Sequence, residues 1–286
     1  MMNTLITVIL YGKRPIESLT LNKLLDINYD EYELMLVNNG PDLIDFNDSF
    51  LELLSSKKIK VSLFNFIENK PLSLIYNQVL NDNELFDRFI FFDDDSELDD
   101  DFFGTINSAY VNGVDLQLPL ILDSDIAYYP VVDGVVFQGD VSTGFLTKYN
   151  ELFSIGSGLI IYSNLIKKFK KINMSLFDEN FALYGVDYSL FRRISILRKK
   201  YKEDIKISIC SKINHSLSRT DSRFSSSRHR ERLIDIVLTE RHYSKVAVKS
   251  IIKLISLSLI ELLKFRFSNI YLIVSTYLRG HHPRCR

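Results

Sequence analysis

Short apolar runs alternate with amphipathic stretches over residues 4–95 of the chain. The runs TLITVIL, YELMLVNN, KIKVSLFNF and RFIFFDDD are typical of buried strands that end in polar or turn-forming residues. The stretches PIESLTLNKLLD and PLSLIYNQVLN repeat apolar positions at helical spacing. Strands that alternate with helices predict a doubly wound α/β sheet in which most strands are parallel.

The rest of the chain continues this pattern and then becomes helical. Residues 113–150 show little pattern, SIGSGLIIYSNLIKKFKK predicts a strand and a helix, and a further helix is expected from about Val186. YKEDIKISIC predicts the strand that closes the sheet, and helical patterns follow from residue 222. We therefore expect a catalytic or binding α/β domain over residues 1–215 and a basic, amphipathic helical extension over residues 216–286.

The segment YSKVAVKSIIKLISLSLIELLKF has an unusual distribution of charge. Lys249, Lys253, Ser256 and Lys264 fall near one face of a helix, and most other positions are apolar. A helix that spans a bilayer needs about 20 apolar residues with few charges, which the lysines and Glu261 interrupt here. Two interpretations remain: an amphipathic helix in the plane of a membrane, or a helix packed on the protein's own core.

Composition places the chain among folded globular proteins. It has 286 residues, of which 46% are hydrophobic and 25% charged, so a disordered chain is excluded. Cys210 and Cys285 are far apart and match no metal-ligand or redox spacing, so a reducing compartment is expected. The N-terminal MMNTLITVILYGKRP lacks the basic segment and cleavage site of a secretory signal, which is therefore not expected.

The net charge of −1 hides an uneven distribution. Residues 1–214 carry 21 Lys and Arg against 31 Asp and Glu, whereas residues 215–286 carry 14 against 5. All five histidines lie in the second segment. An acidic body with a basic tail predicts that the tail meets phosphates, a nucleic acid or a lipid surface.

The acidic stretch RFIFFDDDSELDDDFF follows the fourth predicted strand. Ligands of doubly wound sheets bind at the carboxyl ends of the strands, where Asp93–Asp95 would lie with Tyr11–Lys13 and Asn38–Pro41. Asp99–Asp101 instead fit the first turn of a helix over residues 99–112, where the helix dipole favours acidic residues. The two halves of the stretch therefore need different explanations.

A divalent cation is one explanation for Asp93–Asp95. Carboxylates at positions i and i+2 of a strand end can bind one hard cation, whereas three unneutralised aspartates repel one another. The alternative is a solvated acidic loop. The stretch does not fit a helix-loop-helix calcium site, because Leu98 stands where that loop needs glycine and Gly104 where it needs glutamate.

The order of these motifs over residues 4–215 resembles the family 2 glycosyltransferases of the GT-A fold. ITVILYGKRP is similar to their first strand, LMLVNNGPD to a strand ending in Asp-Asn-Gly or Asp-Asp-Gly, and NKPLSLIYNQVL to their Asn-containing helix. FIFFDDDSEL resembles their DXD motif, while GSGLIIYSNLIKKF and FDENFALYGVDYSLFRRI resemble the acceptor-side loop and the catalytic-base segment. NHSLSRTDSRFSSSRHR and the helical tail look like bacterial O-antigen rhamnosyl- and galactofuranosyltransferase-like members.

This resemblance implies a fold and a metal site. The fold is α/β, with a mixed, mostly parallel, doubly wound GT-A sheet and a C-terminal helical extension. Asp93 and Asp95 would hold Mn²⁺ or Mg²⁺, with His215 as a further ligand, and Asp94 would face the ribose of the nucleotide. A lone histidine such as His215 is also typical of a structural or surface position.

The resemblance also implies a general base. Asp187 matches the aspartate of the family's Glu-Asp pair, although the preceding position holds Val186 instead of glutamate. That difference weakens any inference about acceptor orientation, and Asp187 also fits the N-cap of a helix. Arg219, Arg223 and Arg228 fit either a cover over the diphosphate or a solvated basic loop.

Three more residues are placed near the nucleotide by the same resemblance. Tyr11 would stack on the base, although an aromatic residue at a strand end is also typical of packing. Asn38 stands where many members have an aspartate that reads the base, and its amide retains hydrogen-bonding capacity. Asn77 would lie near the nucleotide.

Together these features predict a metal-dependent, inverting glycosyltransferase. It would move sugar from a nucleotide-sugar donor to a saccharide or lipid-linked saccharide acceptor in bacterial surface polysaccharide synthesis. The basic helices would hold it on anionic lipids at the cytoplasmic face of the cell membrane. A nucleic acid is not expected, because HSLSRTDSRFSSSRHRER offers Phe224 as its one aromatic residue.

Two other functions remain as alternatives. A nucleotidyltransferase-type sugar-nucleotide enzyme would also need paired carboxylates and a metal, but YGKRP has one glycine where a glycine-rich loop is required. A non-catalytic binding module is the second alternative.

Overall fold

The computed structural model of the protein describes residues 2–57, 59–139, 145–146, 149–215 and 225–285. In these residues the strands are β1 (Thr4–Leu10), β2 (Glu33–Asn38), β3 (Lys60–Asn65), β4 (Arg88–Asp93), β5 (Ser96–Leu98), β6 (Leu116–Asp123), β7 (Ile126–Tyr129), β8 (Val131–Val132), β9 (Val135–Val136), β10 (Leu152–Phe153), β11 (Leu159–Tyr162) and β12 (Ile207–His215). The helices are α1 (Leu19–Asp26), α2 (Ser49–Ser56), α3 (Leu72–Asp82), α4 (Phe102–Ser108), α5 (Ser163–Lys171), α6 (Val186–Tyr201), α7 (Ser226–Tyr243), α8 (Ala247–Leu263) and α9 (Phe267–Arg279). A single 3₁₀ turn, Pro15–Glu17, precedes α1.

The main sheet is mixed. Within the described residues it runs in the order β3-β2-β1-β4-β11-β6-β12-β5, and β7 also pairs with β6. The strands β3, β2, β1 and β4 are parallel, β11 is antiparallel to β4 and β6, and β12 is parallel to β6. The strands β10, β8 and β9 form a small antiparallel sheet. The predicted α/β class with a mixed sheet and helices is confirmed.

The parallel half of the sheet brings polar residues to one edge. All seven residues of β1 and five of the six in β4 are buried, as expected for strands covered on both faces. The register pairs Ile9 with Asp93 and Leu10 with Asn38, so β1, β2 and β4 end at the same level. Asn38 and Asp93 therefore lie at the carboxyl edge of the sheet, where the sequence predicts a ligand site.

The second half of the acidic stretch lies before a helix and not inside it. The helix α4 begins at Phe102, with Asp101 at its N-cap, and its first turn has no acidic residue. Phe102 and Phe103 are buried, and the packing of these two rings sets where the helix begins. The prediction that Asp99–Asp101 form the first helical turn is therefore wrong.

The chain divides into two compact units. The first unit, residues Met1–Asn69, Val79–Met174 and Ile194–Thr220, contains the main sheet. The second unit comprises Lys70–Gln78, Ser175–Arg193 and Asp221–Arg286, and it contains α7, α8 and α9. A domain boundary between residues 215 and 216 stays a prediction.

The second unit has a small apolar core of its own. Leu233 and Val237 of α7 pack with Leu254 of α8 and Ile273 of α9. None of the helices in the described part of the chain combines the length and hydropathy needed to cross a membrane.

Candidate metal centre

The turn after β4 and the end of β12 bring together, in the first unit, three side chains of types that can bind a metal. Asp93 is the last residue of β4, and Asp94 and Asp95 form the turn into β5. The strand β5 then pairs antiparallel with β12, which places His215 directly opposite Ser96. Strand pairing thus joins two parts of the sequence that are more than a hundred residues apart.

Asp93, Asp95 and His215 form a possible metal site. Each offers one ligand atom, and the three atoms lie within 4.8 Å of one another. His215 Nδ1 is 3.1 Å from Asp95 Oδ1, and His215 Nε2 is 3.7 Å from Asp93 Oδ2. Carboxylate oxygens suit Mg²⁺ and Mn²⁺, and an added imidazole is compatible with a transition metal, so the donor set fits the predicted cofactor.

Buried hydroxyl groups surround this cluster. Ser96 Oγ lies 3.3 Å from His215 Nδ1 and also contacts Ser157 Oγ. Ser157 Oγ accepts a hydrogen bond of 3.2 Å from the backbone N–H of Asp93. Thr20 Oγ1 donates to the carbonyl of Asp93 and accepts from the N–H of Ser96, so both ends of the aspartate turn are fixed.

The local charge is dominated by the aspartates. Burial raises the pKa of Asp93 to about 6; the positive field of His215 and Lys13 opposes this shift, and the carboxylates of Asp95 and Asp94 add to it. The side chain of Asp93 nevertheless keeps 41% of its surface exposed. An accessible carboxylate that is costly to ionise beside two others is an environment that a bound cation would stabilise.

Asp94 points to a different set of partners. Its Oδ1 lies 2.5 Å from Lys13 Nζ, and its Oδ2 accepts a long hydrogen bond of 3.4 Å from the N–H of Tyr11. Tyr11 follows β1, and 55% of its surface is exposed. The structure therefore brings Tyr11, Lys13 and Asp94 together beside the three candidate ligands.

Asn38 is buried and holds the loop after β2. Its Nδ2 donates to Asp42 O and Asn65 Oδ1, both at 2.6 Å, and its Oδ1 accepts from Gly40 N at 3.1 Å. These bonds give the amide a structural role in the described conformation. Its predicted contact with the nucleotide base stays a prediction.

Asn77 and Asp187 belong to the second unit. Asn77 is buried and joins α3 to the loop before α6: it donates to Phe177 O at 2.9 Å and accepts from Phe177 N at 3.0 Å. Asp187 lies in the first turn of α6. Arg228 is in α7, whereas Arg219 and Arg223 lie outside the described residues.

The serine and threonine residues of this site do not stand out in the sequence. Ser157 lies in the GSG stretch that resembles an acceptor-side loop, and Thr20 lies in a helix with an ordinary amphipathic pattern. A small-residue loop beside a strand was the one signal that pointed to Ser157. Thr20 had no signal, because its role depends on the packing of α1 against β5.

The chain is similar to known proteins in fold and not in sequence. No protein-family model matches the chain, and no curated protein matches it in sequence. Solved structures of glycosyltransferases share its fold. A structure of GalNAc-T7 with UDP, GalNAc and Mn²⁺ has a TM-score of 0.56 and 13% identity, covering 86% of this chain and 49% of that chain.

Two further structures come from named organisms. The mannosyltransferase PcManGT from Pyrobaculum calidifontis, in complex with GDP-Man and Mn²⁺, has a TM-score of 0.51 and 12% identity, covering 97% of this chain and 73% of that chain. S. aureus TarS has a TM-score of 0.46 and 15% identity, covering 87% of this chain and 41% of that chain. This chain thus spans less than half the length of TarS and of GalNAc-T7. The GT-A type of glycosyltransferase fold, expected from the sequence resemblance, is confirmed.

Proposed function

We propose that the protein is a metal-dependent glycosyltransferase that moves a sugar from a nucleotide-sugar donor to an acceptor hydroxyl. The convergence of Asp93, Asp95 and His215 at the carboxyl edge of a GT-A-type sheet is the observation that carries this proposal. The solved relatives support the same class, since GalNAc-T7 was determined with UDP, GalNAc and Mn²⁺ and PcManGT with GDP-Man and Mn²⁺.

Asp93, Asp95 and His215 would hold Mn²⁺ or Mg²⁺. Such an ion supplies, when bound, positive charge that stabilises a diphosphate leaving group. Ser96 and Ser157 orient His215 and the backbone of Asp93 through the contacts described above. The cluster is therefore supported by side chains that are themselves buried.

The donor nucleotide would lie beside the metal. We assign Asp94 to the ribose hydroxyls, for which its carboxylate is an acceptor, and the exposed ring of Tyr11 to stacking on the base. Asn38 would contribute to base recognition and Asn77 to the nucleotide region. Lys13 adds a cation next to Asp94 that can meet a phosphate oxygen.

Asp187 would act as the general base of an inverting transfer. Its carboxylate takes the proton of the acceptor hydroxyl while that oxygen forms a bond to the anomeric carbon. The bond between the sugar and the diphosphate breaks on the opposite side, and its electron pair leaves with the diphosphate. The N-terminal turn of α6 favours the ionised carboxylate that this role needs.

The acceptor would be a saccharide or lipid-linked saccharide of a bacterial surface polysaccharide such as O-antigen or capsule. This part of the proposal rests on the sequence resemblance of residues 214–230 and the helical tail. The enzyme would then be cytoplasmic and peripheral on the inner face of the cell membrane, in contact with anionic lipids.

Release of nucleoside diphosphate from a panel of nucleotide-sugars tests the enzymatic proposal. We expect slow hydrolysis of one donor with Mn²⁺ or Mg²⁺, inhibition by EDTA, and loss of the activity in Asp95→Ala. Asp187→Ala should retain metal and donor binding and lose transfer, because the base acts on the acceptor.

Asp100→Ala is the matched control, since it removes a carboxylate from the second half of the same acidic stretch. It should keep the wild-type rate. If neither metal allows any donor to bind or react, the proposal is wrong and a non-catalytic binding module becomes the better account.

A further inference from the structure

The helices α8 and α9 bury several polar residues and expose many apolar ones. The buried residues are Ser250, Leu254 and Glu261 on α8, and Asn269, Leu272, Ile273 and Thr276 on α9. Helices that meet only water show the opposite arrangement, with apolar residues inside and polar residues outside. The outer surface of these two helices is therefore suited to an apolar medium.

Three of these four buried polar residues are hydrogen-bonded within the second unit, whereas Thr276 Oγ1 is buried without a hydrogen-bond partner. Glu261, which is 1% exposed, accepts from Asn269 Nδ2 at 2.6 Å and lies 2.9 Å from His229 Nε2. Ser250 Oγ donates to Glu240 Oε2 at 2.9 Å. These contacts fix α8 and α9 against α7. The apolar side chains therefore stay on the outer surface, and the buried charge of Glu261 has partners.

Exposed apolar side chains are concentrated on these helices. Of the 29 large apolar residues that are exposed in the described part of the chain, 14 lie within residues 246–278. Side chains spaced three or four residues apart form one stripe on each helix, and the stripes border an open groove of about 360 Å³. We call this surface the α8–α9 face and define it by Ile251, Ile255, Leu259, Tyr271, Val274 and Leu278.

Basic residues predominate around the α8–α9 face. Residues 247–279 contain five basic residues, and their one acidic residue is the buried Glu261. At 100° per residue, Lys249, Lys253 and Lys264 lie on one side of the exposed apolar residues of α8, and Lys253 also pairs with Glu240 of α7 at 2.5 Å. The turn between the helices and the first residue of α9 add two exposed aromatic rings, Phe265 and Phe267, whose centroids are 6.5 Å apart.

We infer that the α8–α9 face inserts into the anionic leaflet of a lipid bilayer, with both helices in the plane of the membrane. Apolar side chains would enter the acyl region, the lysines would meet lipid phosphates, and the aromatic pair would occupy the interface. Because the opposite sides of α8 and α9 pack against α7, lipid can reach these helices from one side only. The inference deepens the proposed peripheral membrane position and rests on it.

The charge pattern favours a membrane over a second copy of the chain. A twofold contact of this face with itself would bring two sets of lysines and arginines together around an apolar centre. Like charges at an interface are unfavourable, whereas anionic headgroups neutralise them. An anionic lipid surface is therefore the occupant that the face complements.

Sedimentation with vesicles tests this inference on the full-length protein. Wild type should bind vesicles of phosphatidylglycerol and phosphatidylcholine and bind vesicles of phosphatidylcholine alone more weakly. The double variant Leu263→Asp/Phe265→Asp, at positions 78% and 81% exposed, should bind the mixed vesicles at least about tenfold more weakly. Leu85→Asp, which changes an 89% exposed leucine elsewhere, should bind like wild type.

A fluorescence measurement identifies the inserted residue directly. The chain has no tryptophan, so Phe265→Trp introduces a single reporter. Its emission should move to shorter wavelength with mixed vesicles and be quenched by brominated lipids, whereas the emission of Leu85→Trp should not change.

Three outcomes would contradict the inference: no binding of wild type to mixed vesicles, equal loss in Leu85→Asp, or an unchanged Phe265→Trp spectrum. If wild type is a dimer that does not bind vesicles, and Leu263→Asp/Phe265→Asp is a monomer, the face would instead be a contact with a second copy of the chain. Donor hydrolysis measured in solution without lipid tests the enzymatic proposal separately, so the two failures can be distinguished.

Discussion

The position of His215 beside the aspartates depends on two buried serines. Ser96 contacts the ring at Nδ1, and Ser157 contacts both Ser96 and the backbone of Asp93. Hydrogen-bond partners of metal ligands fix ring orientation, and their removal typically lowers metal affinity about 10–100-fold. We therefore predict that Ser157→Ala binds Mn²⁺ about tenfold more weakly than wild type, as measured by calorimetry.

Ser208→Ala is the control for this prediction. Ser208 is also a buried serine and lies on β12, the strand that carries His215, but it is distant in register from the cluster. Its variant should bind Mn²⁺ like wild type. Equal affinities in all three proteins would mean that Ser157 contributes to packing alone.

Among single residues, the sequence indicated the candidate metal ligands better than the residues that hold them in place. Asp93 and Asp95 stand out because an acidic run directly follows an apolar strand, and the sheet edge gives them a common location. His215 depended on the family resemblance, since its proximity is created by the pairing of β5 with β12. The hydrogen bonds of Asn38 with its own loop could not be predicted, because they depend on the geometry of the turn after β2, which the sequence pattern does not specify.

At the scale of elements, Asp178 connects three parts of the second unit. Its carboxylate accepts from Tyr243 Oη of α7 at 2.6 Å and pairs with Arg193 Nη2 of α6 at 3.1 Å. Its backbone N–H donates to Ser189 Oγ at 2.9 Å. Burial tends to raise the pKa of Asp178, but the charge of Arg193 and the hydrogen bond from Tyr243 outweigh it and hold this pKa below its usual value.

We predict that Asp178→Asn lowers the free energy of unfolding by about 3 kcal/mol at pH 7, because it leaves the charge of Arg193 without its buried partner. The folded pKa is lowered, so the carboxylate stabilises the fold above the ordinary pKa of about 3.9. That contribution is lost as the pH falls through the folded pKa. Urea denaturation at a series of pH values from 7 to 3 measures this effect. The difference in free energy of unfolding between variant and wild type should become smaller below about pH 4.

Glu84→Gln provides the comparison for Asp178→Asn. Glu84 also pairs with a cation, Lys170 at 2.6 Å, but both side chains are exposed. Exposed ion pairs contribute little, so this variant should unfold close to wild type. If both variants are equally stable, the buried network around Asp178 does not hold the second unit together.

Element types were predicted well wherever the apolar period was long and regular. The runs that became β1 to β4 and the helix α6 beginning at Val186 follow from alternation and from a favourable first turn. The start of α4 was missed because acidic residues suit a helix N-terminus, whereas burial of Phe102 and Phe103 decided the outcome. For α8 the sequence left two interpretations open, because a helical-wheel projection alone does not show which face of the helix packs against α7.

At the scale of the whole molecule, charge is separated along the chain. The net charge is −1 and the sequence pI is about 6.5, so at pH 7.5 the protein and an anionic vesicle carry the same sign. Attraction must then come from the local distribution of charge, and each Lys or Arg near an anionic surface contributes about 1 kcal/mol. The position of a lysine should matter more than its effect on the net charge.

We predict that Lys249→Glu weakens binding to phosphatidylglycerol-containing vesicles by at least about fivefold. Lys167→Glu changes the net charge equally from an exposed position on α5 and should change binding by less than about twofold. Raising the ionic strength should weaken vesicle binding of wild type and of Lys167→Glu to the same extent. Binding of Lys249→Glu should depend less on salt, because this variant has already lost the charge contact that salt screens. Sedimentation over a salt series measures all three. Equal effects of the two substitutions would show that net charge governs binding, whereas a selective effect of Lys249→Glu places the attraction on the flank of the α8–α9 face.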